Sequence, residues 1–178
     1  MKRSLTDIEI REAMLVFGDS LTYPKIRVHE EVGFPNWIAR IGAVLSRQPK
    51  PQNNAITVGN HIYFPVALHT GKEAINNLQL NDISWLMHEL IHTWQFQHVG
   101  YRYLADAIVA QVRLGKNVYD FGGKKGLEDA HRTQKNFGSF NPEQQGDIVR
   151  YYYLGFKRGE NVEAWAPFIT EVKNTIAR

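Results

Sequence analysis

The sequence predicts an α+β fold, mainly helical, with a small sheet or hairpin beside one buried helix. Three observations predict it. Ile83, Leu86, Leu90, Ile91 and Trp94 form an apolar surface at helical spacing around His88-Glu89-Leu90-Ile91-His92. Two β-rich runs, Ala55 to Val58 and His61 to Phe64, flank a Gly59-Asn60 turn signal. Helix-start signals recur elsewhere, and few other runs alternate.

Taken in order, Thr6-Asp7-Ile8-Glu9 is a capping box that should open a helix ending at Gly18-Asp19-Ser20. Lys25 to His29 alternates and predicts a strand with His29 on its polar, surface side. Gly33 to Trp37 predicts a loop, Ile38 to Leu45 either a short helix or an irregular apolar run, and Pro49 to Asn54 an exposed loop. Pro65 should stop the second strand of the hairpin, and Ile62-Tyr63-Phe64 is a candidate edge for pairing with an extended peptide. Gly71 to Asn81 is polar, and Asn81 or Asp82 can cap the central helix, which Val99-Gly100 should end. Tyr101 to Leu114 has the pattern of a second buried helix. Asn117 to Phe140 predicts a long loop carrying a short helix near Leu127 to Thr133. Asn141-Pro142-Glu143-Gln144 predicts a helix with Asn141 as cap, Pro142 at its first position and Gln144 reciprocating, running to Gly159. Asn161 can cap a last helix.

At 178 residues the chain fits a single domain, 1–178, with enough apolar content (43%) for a real core. A net charge of +3, without basic runs interleaved with aromatics, predicts no nucleic-acid partner. Cysteine is absent, so any metal must be held by histidines and carboxylates. No stretch is long enough to span a membrane, and the N-terminus turns acidic before any apolar run. No signal peptide is therefore predicted; cytoplasmic synthesis is expected, with a signal-independent export route left open.

His88 and His92 stand four apart, on one helical face, and can present two imidazoles to one zinc ion. Glu89 lies one step round, placed to act as general base toward water. A catalytic zinc needs a third protein ligand. His98 lies at the offset a metzincin uses, but that family breaks its helix with a midway glycine, where this chain has Gln95, a helix former. A helix continuing through Gln95 turns His98 away. Glu143 is the favoured candidate. Glu143 and Asp147 resemble the gluzincin Glu-x-x-x-Asp pattern, which implies Glu143 as ligand and Asp147 as hydrogen-bond acceptor for a ligand histidine. The spacing departs from compact gluzincins, because fifty residues separate His92 from Glu143. Tyr151, four residues beyond Asp147, and His131 are candidate donors to a developing oxyanion.

Five stretches together carry a wider resemblance: Phe17 to Leu21, Ile26 to His29, Asn54 to Phe64, His88 to Gln95 and Glu143 to Gln145. Across about residues 6 to 155, the chain resembles zinc metallopeptidases encoded beside Vgr and Rhs components of bacterial type VI secretion. It is also similar to the peptidase-like domain of extracellular contractile injection systems. The resemblance implies a zincin-like fold, a Zn2+ cofactor, a protein or peptide substrate, and Vgr/Rhs-type partners, with the chain acting as effector or processing factor and export through that apparatus. Two other expectations share the motif: an accessory protein of a secretion spike or toxin with a structural zinc, and an amidase of cell-wall peptides.

Overall fold

The computed structural model describes residues 1–32, 55–102 and 115–175. The expectations for Gly33 to Asn54, and for most of the helix over Tyr101 to Leu114, lie outside these residues. What is described is α+β and mostly helical, with one small mixed sheet.

The sheet has four short strands: β1 (Lys2–Arg3), β2 (Arg27–His29), β3 (Ile56–Val58) and β4 (His61–Tyr63), in the order β1-β2-β4-β3. The Gly59-Asn60 turn joins β3 and β4 as an antiparallel hairpin, with Gly59 in the left-handed region (φ 63°) that the turn demands. β2 lies parallel to β4 and antiparallel to β1. β4 is therefore internal, paired on both sides, and Ile62-Tyr63-Phe64 cannot offer a free edge. Among the described residues the edge strands are β1 and β3.

Strand alternation sends one cross-sheet row inward: Arg3, Val28, Ile62 and Thr57 stand in register, and the last three are buried. His29 departs from expectation. It is half-buried, stacked on Tyr63 with centroids 4.4 Å apart, and its Nε2 lies 2.9 Å from His61 Nδ1. Residue pairing across β2 and β4 brings these rings together, which no single-strand pattern reveals. β2 also begins later than predicted, because Pro24 fits a 3-10 turn at Tyr23–Lys25.

Helix α1 (Asp7–Phe17) starts at the predicted capping box: Thr6 Oγ1 accepts from Glu9 N (3.2 Å), and Glu9 Oε2 accepts from Thr6 N (2.8 Å). Glu9 also accepts from Arg3 (2.7 Å), and Arg3 reaches Glu30 (2.7 Å), so one guanidinium ties β1 to α1 and to the end of β2. The polar stretch before the central helix holds a short helix, α2 (Lys72–Asn76).

The central helix α3 (Asn81–Val99) buries Ile83, Leu86, Met87, Leu90 and Ile91 and ends at Gly100 (φ 67°). Neither Asn81 nor Asp82 caps it. Leu80 occupies that position, and Asp82 instead accepts from His69 N (2.7 Å). Helix α4 (Gly123–Arg132) starts four residues ahead of the predicted Leu127. Helix α5 (Pro142–Arg158) begins at the full Asn141/Gln144 capping box and ends at Gly159. It packs against α3 and buries Ile148, Val149 and Tyr153, whose hydroxyl donates to Glu12 (2.8 Å). Helix α6 (Ala166–Asn174) starts later than Asn161 predicts. Asn161 makes a local turn, accepting from Glu163 N (3.1 Å), and Pro167 marks the helix's first turn.

Candidate metal centre

The i, i+4 spacing on α3 holds the His88 and His92 rings 5.2 Å apart, edge to face, and both are buried. Two buried imidazoles need polar partners. Helix α5 supplies them. The Asn141 cap fixes its first turn by accepting from Glu143 N (3.0 Å) and Gln144 N (2.9 Å), which points Glu143 at both rings. Glu143 Oε2 lies 3.3 Å from His88 Nε2, and Oε1 lies 3.7 Å from His92 Nε2. His88, His92 and Glu143 each offer one ligand atom within 4.8 Å of the others, so they could hold a metal ion.

The far nitrogens are held as well. His88 Nδ1 donates to Asp147 Oδ1 at 3.1 Å, one helical turn from Glu143. His92 Nδ1 donates to Gln95 Oε1 at 2.9 Å. The His88 ring packs closely against α5 at Gly146. A Cβ there would stand 2.4 Å from His88 Cε1 and 2.7 Å from Nδ1. A glycine inside a helix costs about 1 kcal/mol relative to alanine, and here the bare Cα makes room for the ring.

Glu89, also buried, is fixed from the sheet. Thr57 Oγ1, at the end of the inward row, donates to Glu89 Oε2 (2.8 Å). Tyr119 closes another side, its ring 6.2 Å from His88. The carbonyls on either side of it are pinned to α5: Asn141 Nδ2 donates to Val118 O (3.0 Å) and Gln144 Nε2 to Asp120 O (2.6 Å).

The electrostatics follow. Burial opposes charge on His88, but hydrogen bonds to Asp147 and Glu143 and the charge of Glu89 outweigh it and push the imidazole up to about 10. Burial opposes charge on His92 too, and Glu143 more than offsets it, again raising the ring. Burial would raise Glu143, yet the two histidines hold its carboxyl well below the usual range. Burial and then the charges of Glu143, Glu89 and Asp147 push the Tyr119 phenol up.

Of the residues singled out by sequence, His88, Glu89, His92, Glu143 and Asp147 come together. His98 does not join them. α3 continues unbroken through Gln95, and His98 Nδ1 donates to Trp94 O (2.6 Å). Tyr151 is 48% exposed with its ring against Phe121, and His131 is exposed at the end of α4. Tyr119, Thr57, Gln95 and Gly146 were not singled out. Only Gly146 left a signal, a glycine in the middle of a strong helix pattern.

No family model matches the chain, and no solved structure gives a significant match. Over 175 residues, 97% of its length, the chain is 30% identical to the type VI secretion system spike protein VgrG2b of Pseudomonas aeruginosa. The match covers 15% of that protein. The chain is thus similar to one segment of a type VI spike protein, and nearly all of its residues take part in the likeness.

Proposed function

We propose that this chain is a zinc-dependent hydrolase of peptide bonds with a zincin-like fold, linked to type VI secretion as an effector or processing factor. The carrying observation is the convergence of His88 Nε2, His92 Nε2 and the Glu143 carboxylate, with Glu89 held beside them. The likeness to a segment of VgrG2b supports the secretion link.

The donor set fits zinc. Two imidazole nitrogens and a carboxylate form a usual catalytic ligand set. Ligand atoms on one tetrahedral zinc, with bonds of about 2.0–2.1 Å, stand roughly 3.3 Å apart, and the two Nε2–carboxylate distances are 3.3 and 3.7 Å. Both outer nitrogens are already engaged, which turns the inner pair toward the common point. When bound, zinc supplies a Lewis acid that acidifies water and polarises a carbonyl.

Glu89 serves as general base. The bond from Thr57 fixes the plane of its carboxylate, so it takes a proton from the attacking water without first reorienting, and then delivers that proton to the leaving amine. Tyr119, a neutral phenol against Glu143, donates to the developing negative charge on the carbonyl oxygen. The β3 edge beside Glu89 takes the substrate backbone as an added strand.

The test compares wild type with Glu89→Gln for zinc content and for cleavage of an unfolded protein. Equal, near-stoichiometric zinc is expected in both, with cleavage reduced about 10²- to 10⁴-fold in the variant. Equal zinc with no cleavage by either, against unfolded protein or cell-wall peptides, would support an accessory role instead.

A further inference from the structure

Behind His92, away from Glu143, two buried glutamines form a closed chain of hydrogen bonds. Gln145 Nε2 donates to Phe140 O (2.9 Å) and Phe137 O (3.2 Å). Gln145 Oε1 accepts from Gln95 Nε2 (2.8 Å), which also donates to Pro142 O (3.3 Å). Gln95 Oε1 accepts from His92 Nδ1 (2.9 Å).

The polarity of this chain has one solution. Backbone carbonyls only accept. Two of them face Gln145, so its NH2 group must point at them and its oxygen at Gln95. Gln95 must then present its NH2 group, which Pro142 O also requires, and its oxygen falls to His92. The nitrogen of His92 facing that oxygen must carry hydrogen, which leaves Nε2 toward Glu143. Every amide donor and both amide oxygens are engaged, so flipping either side chain would set acceptor against acceptor in a buried place.

We propose that Gln95 and Gln145 are positioning residues: a two-amide relay, anchored on the carbonyls of Phe137 and Phe140, that fixes the protonated nitrogen and the ring orientation of His92. Its consequence for metal binding rests on the reading of His88, His92 and Glu143 as ligands; the relay itself does not. Gln145 meets Gln95 (2.8 Å) and Gln95 meets His92 (2.9 Å), so the relay carries the effect of Gln145 to His92 through Gln95.

The experiment uses the full chain, with zinc or Co2+ affinity, melting temperature and the side-chain 15N–1H signals of His92 as readouts. Wild type should show a His92 Nδ1–H protected from solvent exchange, with and without metal. Gln95→Met should lose that protection and bind metal 10- to 100-fold more weakly. Gln145→Met should speed exchange at His92 and weaken binding about three- to tenfold, the smaller effect because Pro142 O still orients Gln95. Gln95→Glu separates the relay from packing. Its carboxylate still accepts from His92 but meets Gln145 Oε1 and Pro142 O as a third acceptor. The melting temperature should fall while metal affinity stays at or above wild type. Affinities that follow melting temperature across all variants, or His92 exchange unchanged in Gln145→Met, would overturn the relay. A wild type that binds neither metal would overturn the metal reading, and the metal-free His92 signal would still decide the relay.

Discussion

The two histidines of the central helix are held from behind in different ways. His88 leans on the Asp147 carboxylate and lies in a notch made by Gly146. His92 leans on the neutral amide of Gln95. A carboxylate both orients an imidazole and adds charge that strengthens its nitrogen as a ligand, whereas an amide mainly orients. From behind, one imidazole is held by a charge and the other by hydrogen-bond polarity. The support of His88 comes directly from α5, whereas that of His92 comes from its own helix, α3, and is held in turn by Gln145 of α5.

Filling the notch should break the His88 side most severely. Gly146→Ala places a methyl 2.4 Å from His88 Cε1 and must displace the ring or the helix. Metal affinity should fall more than about 100-fold, beyond the usual range for an outer partner, and overpacking should lower stability by about 1–3 kcal/mol; isothermal titration and chemical denaturation measure the two.

Asp147→Asn keeps the shape and removes the charge. We expect a 10- to 100-fold loss of metal affinity with the fold intact, checked by competition with a chromogenic chelator. It should also lower the His88 imidazole, visible in an NMR titration of the metal-free protein.

A weaker effect is the pH dependence of the metal-free fold. His88 is raised from 6.5 to about 10, so its contribution is fully present below 6.5 and is lost as pH rises toward 10. Glu143 is lowered from 4.5, so its contribution is present above 4.5 and is lost as pH falls below that value. The chelator-treated protein should thus melt highest between those two ordinary values, with the melting temperature declining on the alkaline side. Metal competes with the same protons, so metal affinity should climb over that alkaline range. Asp147→Asn should flatten the alkaline decline, and Gln95→Met should leave most of it.

The smallest change lies outside the pair. Thr57→Val removes the donor to Glu89 and should lower kcat about tenfold while leaving metal affinity within about twofold, as expected for one buried hydrogen bond of about 1–1.5 kcal/mol.

What could be read in advance was local. His88 and His92 share a face because of helical spacing, and the start of α5 is written in four consecutive residues, Asn141 to Gln144. Glu143 needed the chemical requirement for a third ligand and the gluzincin-like spacing to Asp147, because nothing near it in sequence says which helix it meets. Tyr119 and Thr57 were invisible for the same reason. One lies in a strap whose only marks are its bonds to α5, the other in a three-residue strand. Gln95 was noticed only as a helix former. Its function appears once Gln145, fifty residues on, stands opposite. The start of α6 was misplaced because Asn161 satisfies a local turn equally well.

The tethering of Tyr119's neighbours to the cap of α5 has a consequence for how the protein comes to life. A freshly made or threaded chain owns two imidazoles on one helical turn and little else with which to grip an ion. Docking of the later helix brings the carboxylate, the Asp147 support of His88, the Gln145 amide that orients Gln95, and the phenol in one motion. Loading would then report complete assembly, and a partly folded copy would remain chemically silent.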